Sequence, residues 1–175
     1  MTEKIDATKQ IIIEVENLKS NNEYEKAITL LEDSIIKYSD DYRLFEELSD
    51  IYIYKQDSAK SLNAVNFALE LNPESATGNY LKGFLLLTQE KITDAIFHLE
   101  ESNRLMGNNP EVLRNLGFSY SLKWEHEKWI SILKRALHLN PNDELITEDL
   151  AMALIGNGNV LEWNVLLRQI EKAKQ

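Results

Sequence analysis

The sequence predicts an all-α solenoid of stacked antiparallel helix pairs. The 175-residue chain aligns with itself in steps of 34 residues without a gap. Each step contains two stretches in which apolar residues recur at helical spacing. The phrase Leu-Asn-Pro ends two of the units, at 71–73 and at 139–141. One helix pair cannot bury both of its faces, whereas stacked pairs share a continuous core.

The period divides residues 8–175 into five units, which we expect to form a single domain. Residues 1–7 precede them as a leader or an extension of the first helix. The units are 8–41, 42–75, 76–109, 110–143 and 144–175, the last being two residues short. One aligned column is nearly all small: Val15, Ser49, Gly83, Gly117 and Ala151. Others are large and apolar (Leu18, Tyr52, Leu86, Tyr120, Leu154) or mostly small with a final Ile170 (Ser34, Ala68, Ser102, Ala136).

Turn residues separate the two helices in four of the five units. They are Ser20–Asn22, Gln56–Asp57, Thr88–Gln89 and Gly156–Asn159. The units themselves end at Ser39–Asp41, Asn72–Pro73, Met106–Pro110 and Asn140–Pro141. Proline stops the preceding helix or begins the next because it has no N–H to donate. Every unit is therefore predicted to be a helix pair closed by a turn.

Composition and charge narrow the classes of function. The chain has no cysteine, which excludes disulfides and thiolate chemistry. The net charge is −10, and residues 1–75 hold 8 basic and 16 acidic side chains. An acidic surface disfavours nucleic acid and anionic membrane as partners. No apolar run reaches the roughly 18 residues of a membrane span and the N-terminus lacks a signal peptide, so we expect a cytoplasmic protein.

The sequence offers no catalytic, metal or cofactor site. His98, His126 and His138 are scattered, and the acids around His126 do not form a His-Glu-x-x-His arrangement. The Gly156–Asn159 stretch lies between two helices and lacks the Lys of a phosphate loop. We therefore expect neither an enzyme nor a bound cofactor.

The unit resembles a tetratricopeptide repeat. The fourth copy carries Leu116-Gly117, Tyr120, Leu133, Ala136 and Pro141 at the family's positions. The second copy matches nearly as well, with Leu48-Ser49, Tyr52, Ser61, Val65, Ala68 and Pro73. The third keeps Gly83, Ala95, Leu99 and Ser102 but departs at Asn79 and Lys82, and the first matches in its second half. The resemblance covers residues 8–175.

The resemblance implies a right-handed superhelix whose first helices line a concave groove. Family members are usually adaptors that hold peptides or helices of another protein. The residues expected to face the groove are charged in the first two units, for example Lys19, Arg43, Glu46 and Asp50. In the last three units they are largely apolar, which suits an anchor for an apolar segment. The predicted binding residues are Tyr80, Phe84, Leu87, Arg114, Phe118, Met152 and Ile155.

The groove does not resemble the carboxylate clamp with which some of these repeats bind acidic chaperone tails. The corresponding positions in the first three units are Ile12, Glu16, Glu47, Thr77 and Leu81. In the last three they are Tyr80, Phe84, Asn115, Leu145 and Asp149, with one match. We therefore expect no binding of such tails.

Two alternatives to an adaptor remain open. The first is a structural protein that forms a homodimer through the apolar C-terminal repeat, Leu161–Ile170, which no further polar helix caps. The second is a small chaperone for secreted proteins. Trp129 and Trp163 stand where other units have Ala27 and Ala95. Since Trp is too large for a close helix crossing, the last two units are expected to open or tilt, with the indoles filling a looser core or framing a pocket or dimer contact.

Overall fold

The computed structural model describes the backbone of residues 2–173 and the side chains of residues 7–168. Every regular element in this part of the chain is an α-helix. In chain order the helices are α1 (Thr2–Ser20), α2 (Tyr24–Lys37), α3 (Tyr42–Tyr54), α4 (Ser58–Leu71), α5 (Ala76–Thr88), α6 (Ile92–Leu105), α7 (Pro110–Leu122), α8 (His126–Leu139), α9 (Glu144–Gly156) and α10 (Val160–Ala173). The prediction of an all-α array of consecutive helix pairs is confirmed.

The helices repeat with the period of the sequence. The first helices of successive pairs begin at Tyr42, Ala76, Pro110 and Glu144, and the second helices begin at Tyr24, Ser58, Ile92, His126 and Val160. Both series advance by 34 residues. The chain nevertheless divides into two compact units, residues 1–89 and 90–175, here called unit 1 and unit 2. The expectation of a single domain over 8–175 stays a prediction.

A capping side chain starts each first helix from α3 onward. The oxygen atoms of Asp41, Ser75, Asn109 and Asp143 accept hydrogen bonds from backbone N–H groups in the first turn. These donors have no partner within the helix, so a cap removes a cost of about 1 kcal/mol. The capping residues therefore recur every 34 residues, as the apolar columns do.

A left-handed residue ends each first helix. Asn22, Gln56, Glu90, Trp124 and Gly158 have φ between 59° and 73°. In four of these turns the next N–H reaches back five residues, as in Asp57 N to Tyr52 O at 2.9 Å and Asn159 N to Leu154 O at 2.9 Å. This is the Schellman motif, in which glycine is the usual residue. Here only the turn after α9 has glycine at the left-handed position, and the other four turns have residues with a side chain there.

Two apolar clusters form the core of unit 1. The larger joins α1, α2 and α3 through Val15, Ala27, Leu31, Leu44 and Ile51. The smaller joins α4 and α5 through Val65, Leu81 and Leu85. At the crossing of α3 and α4, the buried hydroxyls of Ser49 and Ser61 lie 2.9 Å apart, and Ser61 also donates to the Ser49 carbonyl. The small residues of these columns thus allow α3 and α4 to approach closely.

The core of unit 2 lies between α7, α8, α9 and α10. Leu113, Leu133, Ile146 and Leu154 are among its buried members, and Trp129 and Trp163 pack against it while partly exposed. A Cβ atom at Gly117 would lie 3.4 Å from Cδ1 of Trp129. The indole therefore fits at this crossing because the facing residue is small, which the Trp129 column by itself did not reveal. Ile170 lies outside the described side chains.

None of the helices in the described part of the chain is both long and apolar enough to cross a lipid bilayer.

Candidate functional site

The seven predicted binding residues divide between the two units. Three of them lie on α5 of unit 1: Tyr80, Phe84 and Leu87. All three are half-buried. The rings of Tyr80 and Phe84 are 6.5 Å apart, and Tyr80 packs against the cluster around Val65 and Leu81. This part of the predicted surface therefore contributes to the core of unit 1 as well as to its exterior.

Lys19, one of the charged residues expected to face the groove, binds three carboxylates of unit 1. The ammonium of Lys19 lies 2.8 Å from Glu16, 3.0 Å from Glu47 and 2.6 Å from Asp50, joining α1 to α3. Burial acts to lower the pKa of Lys19, but hydrogen bonds to Asp50 and Glu16 outweigh it and raise that pKa. Burial and, to a smaller extent, the negative charge of Glu16 raise the pKa of Glu47 to about 7, and the attraction of Lys19 opposes both. The cluster holds three carboxylates and one ammonium group.

Glu46 was expected to face the groove, but its side chain does not lie on the surface. Its side chain is buried, with 7% of the residue exposed. The carboxylate accepts a hydrogen bond from the hydroxyl of Ser75, which in turn accepts one from Gly78 N at 3.2 Å. Burial raises the pKa of Glu46, and the hydrogen bonds oppose that rise. Glu46 thus fastens α3 to the start of α5 and is not available to a partner.

The guanidinium of Arg114 already has a carboxylate partner. Its Nε lies 3.3 Å from Oδ2 of Asp149, which joins α7 to α9. Arg114, one of the predicted binding residues, therefore already binds a carboxylate within the chain. The ion pair also fixes the register of the two helices, since residues one turn further along each helix lie on the same face.

An exposed apolar surface lies next to this ion pair. Phe118 follows Arg114 by four residues, and Met152 follows Asp149 by three. Phe118 is 51% exposed, Met152 56% and Ile155 58%. We call these three residues the α7–α9 patch. Large apolar side chains that remain exposed together on neighbouring helices are typical of a contact surface.

Two apolar grooves between helices were not anticipated from the sequence. In unit 1, a groove of about 390 Å³ lies between α2, α3 and α4, with Ile36 and Phe67 at its edge. In unit 2, a groove of about 510 Å³ lies between α8, α9 and α10, next to Leu161 and Val165. They occupy equivalent positions three repeats apart, as Leu48 and Leu150 show. The sequence signal that could have predicted these grooves is the set of apolar residues on the second helices that lie outside the buried columns.

Among the residues with described side chains, no group of three or more His, Asp or Glu is placed to hold a metal ion. The ring of His126 lies between Trp124 and Trp129, with centroid distances of 5.9 and 6.1 Å. His98 contacts the ring of Phe97 edge-on at 5.1 Å. Neither histidine belongs to a carboxylate cluster of the kind that would bind a metal.

No protein-family model matches the sequence, and a sequence comparison with curated proteins finds no match. Solved structures match the fold. MamA from Desulfovibrio magneticus RS-1 superposes with a TM-score of 0.81 at 16% identity, over 95% of this chain and 94% of that one. PilF of Pseudomonas aeruginosa gives a TM-score of 0.82 at 17% identity, over 95% and 78% of the chains. YrrB, described as a TPR protein with an unusual peptide-binding site, gives 0.74 at 18%, over 95% and 88%.

Proposed function

Because the chain has the fold of tetratricopeptide repeat proteins, we propose that it is a protein-interaction scaffold that binds a peptide or helical segment of another protein. The observation that carries this proposal is the α7–α9 patch, whose three apolar side chains are each more than half exposed. Exposed apolar area is unfavourable in water, so a partner that covers the patch binds with a favourable free energy of burial. YrrB, with a similar fold, is described as having a peptide-binding site.

The proposed contact residues are those on the faces of the first helices. In unit 2 they are Phe118, Met152 and Ile155, with Arg114 beside them. In unit 1 they are Tyr80, Phe84 and Leu87. Phe and Met suit such a role because aromatic rings provide large contact areas and the flexible thioether adapts to different partners. The proposal includes no carboxylate clamp, because acidic residues stand at Glu16 and Glu47 where that clamp needs cations or amides.

The test uses a partner isolated from the source cells and then purified. Replacing Phe118 with Ala should weaken its binding by about 1 to 3 kcal/mol, and replacing Phe84 with Ala should act in the same direction. Titration calorimetry measures the affinity, and thermal unfolding measures stability. Phe97→Ala is the matched control, since Phe97 is an exposed Phe on the second helix α6. Unfolding of both variants, or an equal loss for Phe97→Ala, would refute the proposal.

Self-association through the C-terminal repeat is the second candidate. The observation that favours it is the groove of unit 2, next to which Leu161 is 84% exposed. A ridge beside a groove can pair with the same surface of a second copy, as in the isologous interface of a two-fold dimer. Sedimentation at several concentrations tests this. The Leu161→Gln variant should be more monomeric than the wild type, and the control variant Ile36→Gln should behave like the wild type. A wild type that stays monomeric throughout removes this candidate.

A further inference from the structure

We propose that the α7–α9 patch binds an amphipathic helix that carries Lys or Arg one to two turns from its apolar residues. This inference rests on the proposed function and names the chemistry of the partner. Its basis is the charge that surrounds the patch. The three patch residues lie in the C-terminal halves of α7 and α9, and the carboxylates lie in the N-terminal halves, where Leu145 is also exposed.

The carboxylates on these two helices outnumber the cations. The acidic side chains at this end are Glu111 on α7 and Glu144, Glu148 and Asp149 on α9, and the cation that the structure places among them is Arg114. Arg114 is paired with Asp149. A partner with cations at this end and apolar residues at the other would therefore complement the surface.

Glu148 is the informative member of this group. The first-turn acids Glu111 and Glu144 are favoured by the partial positive charge at a helix N-terminus, so their presence needs no partner. Glu148 is exposed and lies beyond the first turn of α9, where that effect has faded. It shares a face with Met152, one turn further along, and with Ile155, two turns along.

The spacing sets the geometry of the partner. With a rise of 1.5 Å per residue, Glu148 lies about 6 Å along the axis from Met152 and about 10 Å from Ile155. In a partner helix lying along α9, the same distances separate residues one and two turns apart. A Lys or Arg at that spacing from an apolar anchor would reach Glu148 while the anchor contacts the patch.

The test compares synthetic helical peptides that share three Leu residues along one face. One peptide carries Lys one turn beyond the Leu residues at each end, and the other carries Glu at those two places. Fluorescence anisotropy measures their binding to the full chain. We expect the Lys peptide to bind about fivefold more tightly, since each surface ion pair contributes up to about 1 kcal/mol. The difference should shrink as salt is raised, because salt screens exposed charges.

Charge reversal at Glu148 provides the decisive variant. Glu148→Lys should abolish or invert the preference for the Lys peptide, whereas Glu127→Lys, an exposed reversal on α8, should leave it unchanged. Equal binding of the two peptides by the wild type, or a preference that survives Glu148→Lys, overturns the inference. If both peptides bind equally and Phe118→Ala weakens both, the proposed function stands and only the charge rule fails. If neither peptide binds, both are refuted for helical apolar segments.

Discussion

The indole of Trp129 packs against Gly117, with Cδ1 3.4 Å from the point where a Cβ atom at position 117 would lie. Ile132 and Leu133 lie 3.5 Å from the same point. These are ordinary van der Waals distances, so a methyl group would fit. Gly117 is thus a position where the helix crossing leaves room for a small side chain and not for a large one.

Gly117→Ala should be as stable as the wild type, or its free energy of unfolding should be higher by up to about 1 kcal/mol. The reason is that Ala has a higher helix propensity than Gly. Gly78→Ala is the matched contrast, since its Cβ would lie 2.9 Å from Leu69 Cδ2 and 3.0 Å from Glu46 Oε1. That variant should lose about 1 kcal/mol relative to Gly117→Ala. Urea unfolding of both variants measures the difference. An unfolded Gly117→Ala variant would contradict the room for a methyl group between Gly117 and Trp129.

Gln56→Gly should raise the free energy of unfolding by about 0.5 to 1 kcal/mol. Gln56 has φ of 60° in the turn between α3 and α4, a conformation that costs a residue with a Cβ atom about 1 kcal/mol. The greater freedom of glycine in the unfolded chain offsets part of the gain. Thermal or urea unfolding measures the change.

The converse control is Gly158→Ala, in the turn between α9 and α10. Gly158 has φ of 73°, and no atom lies within 4 Å of its added Cβ. In the folded state only the backbone strain changes, and we expect a loss of about 1 kcal/mol. Equal stability of Gly158→Ala and wild type would show that these turns carry no strain.

Glu47→Gln should stabilise the protein more at pH 8 than at pH 4. The pKa of Glu47 in the folded chain is about 7, above its ordinary value of 4.5. The native state therefore binds this proton more tightly than the unfolded state does, and stability falls as pH rises between those two values. Removing the carboxyl group should recover about 1 to 3 kcal/mol at pH 8, measured by urea unfolding at both pH values.

Glu16→Gln is the control with the opposite sign. The hydrogen bond from Lys19 lowers the pKa of Glu16, so its contribution is present above the unfolded pKa and is lost as pH falls through the folded one. Glu16→Gln should therefore lose stability relative to wild type near neutral pH. If both variants change stability in the same direction at pH 8, the assignment of the two carboxyl groups is wrong.

Asp143→Ala should cost about 1 kcal/mol, and Asp143→Asn should cost much less. The side chain of Asp143 accepts a hydrogen bond from Ile146 N at 3.1 Å, and Asn keeps an oxygen acceptor in that place. Hydrogen exchange of the amides in α9 localises the effect to the start of that helix. Equal losses for the two substitutions would indicate that the cap is not what Asp143 provides.

The helix period could be predicted from the sequence because it depends on local rules. Small residues recur at the crossings, as at Ser49 and Ser61, and the turn and cap residues recur at the same interval. Periodicity alone could not predict exposure. Phe84 and Phe118 occupy the same column, yet Phe84 is half-buried and Phe118 is 51% exposed. The difference depends on the neighbours of each ring, and Tyr80 lies beside Phe84.

The helix pairs and the turns between them follow from the sequence alone, because caps and helix stops act within a few residues of the chain. Which side chains meet across helices depends on the tertiary packing. It buried Glu46 against Ser75, paired Arg114 with Asp149 and placed Trp129 over Gly117. Each of these contacts joins residues that are 12 to 35 positions apart, and their direction is set by helix packing, which a column of aligned residues does not contain.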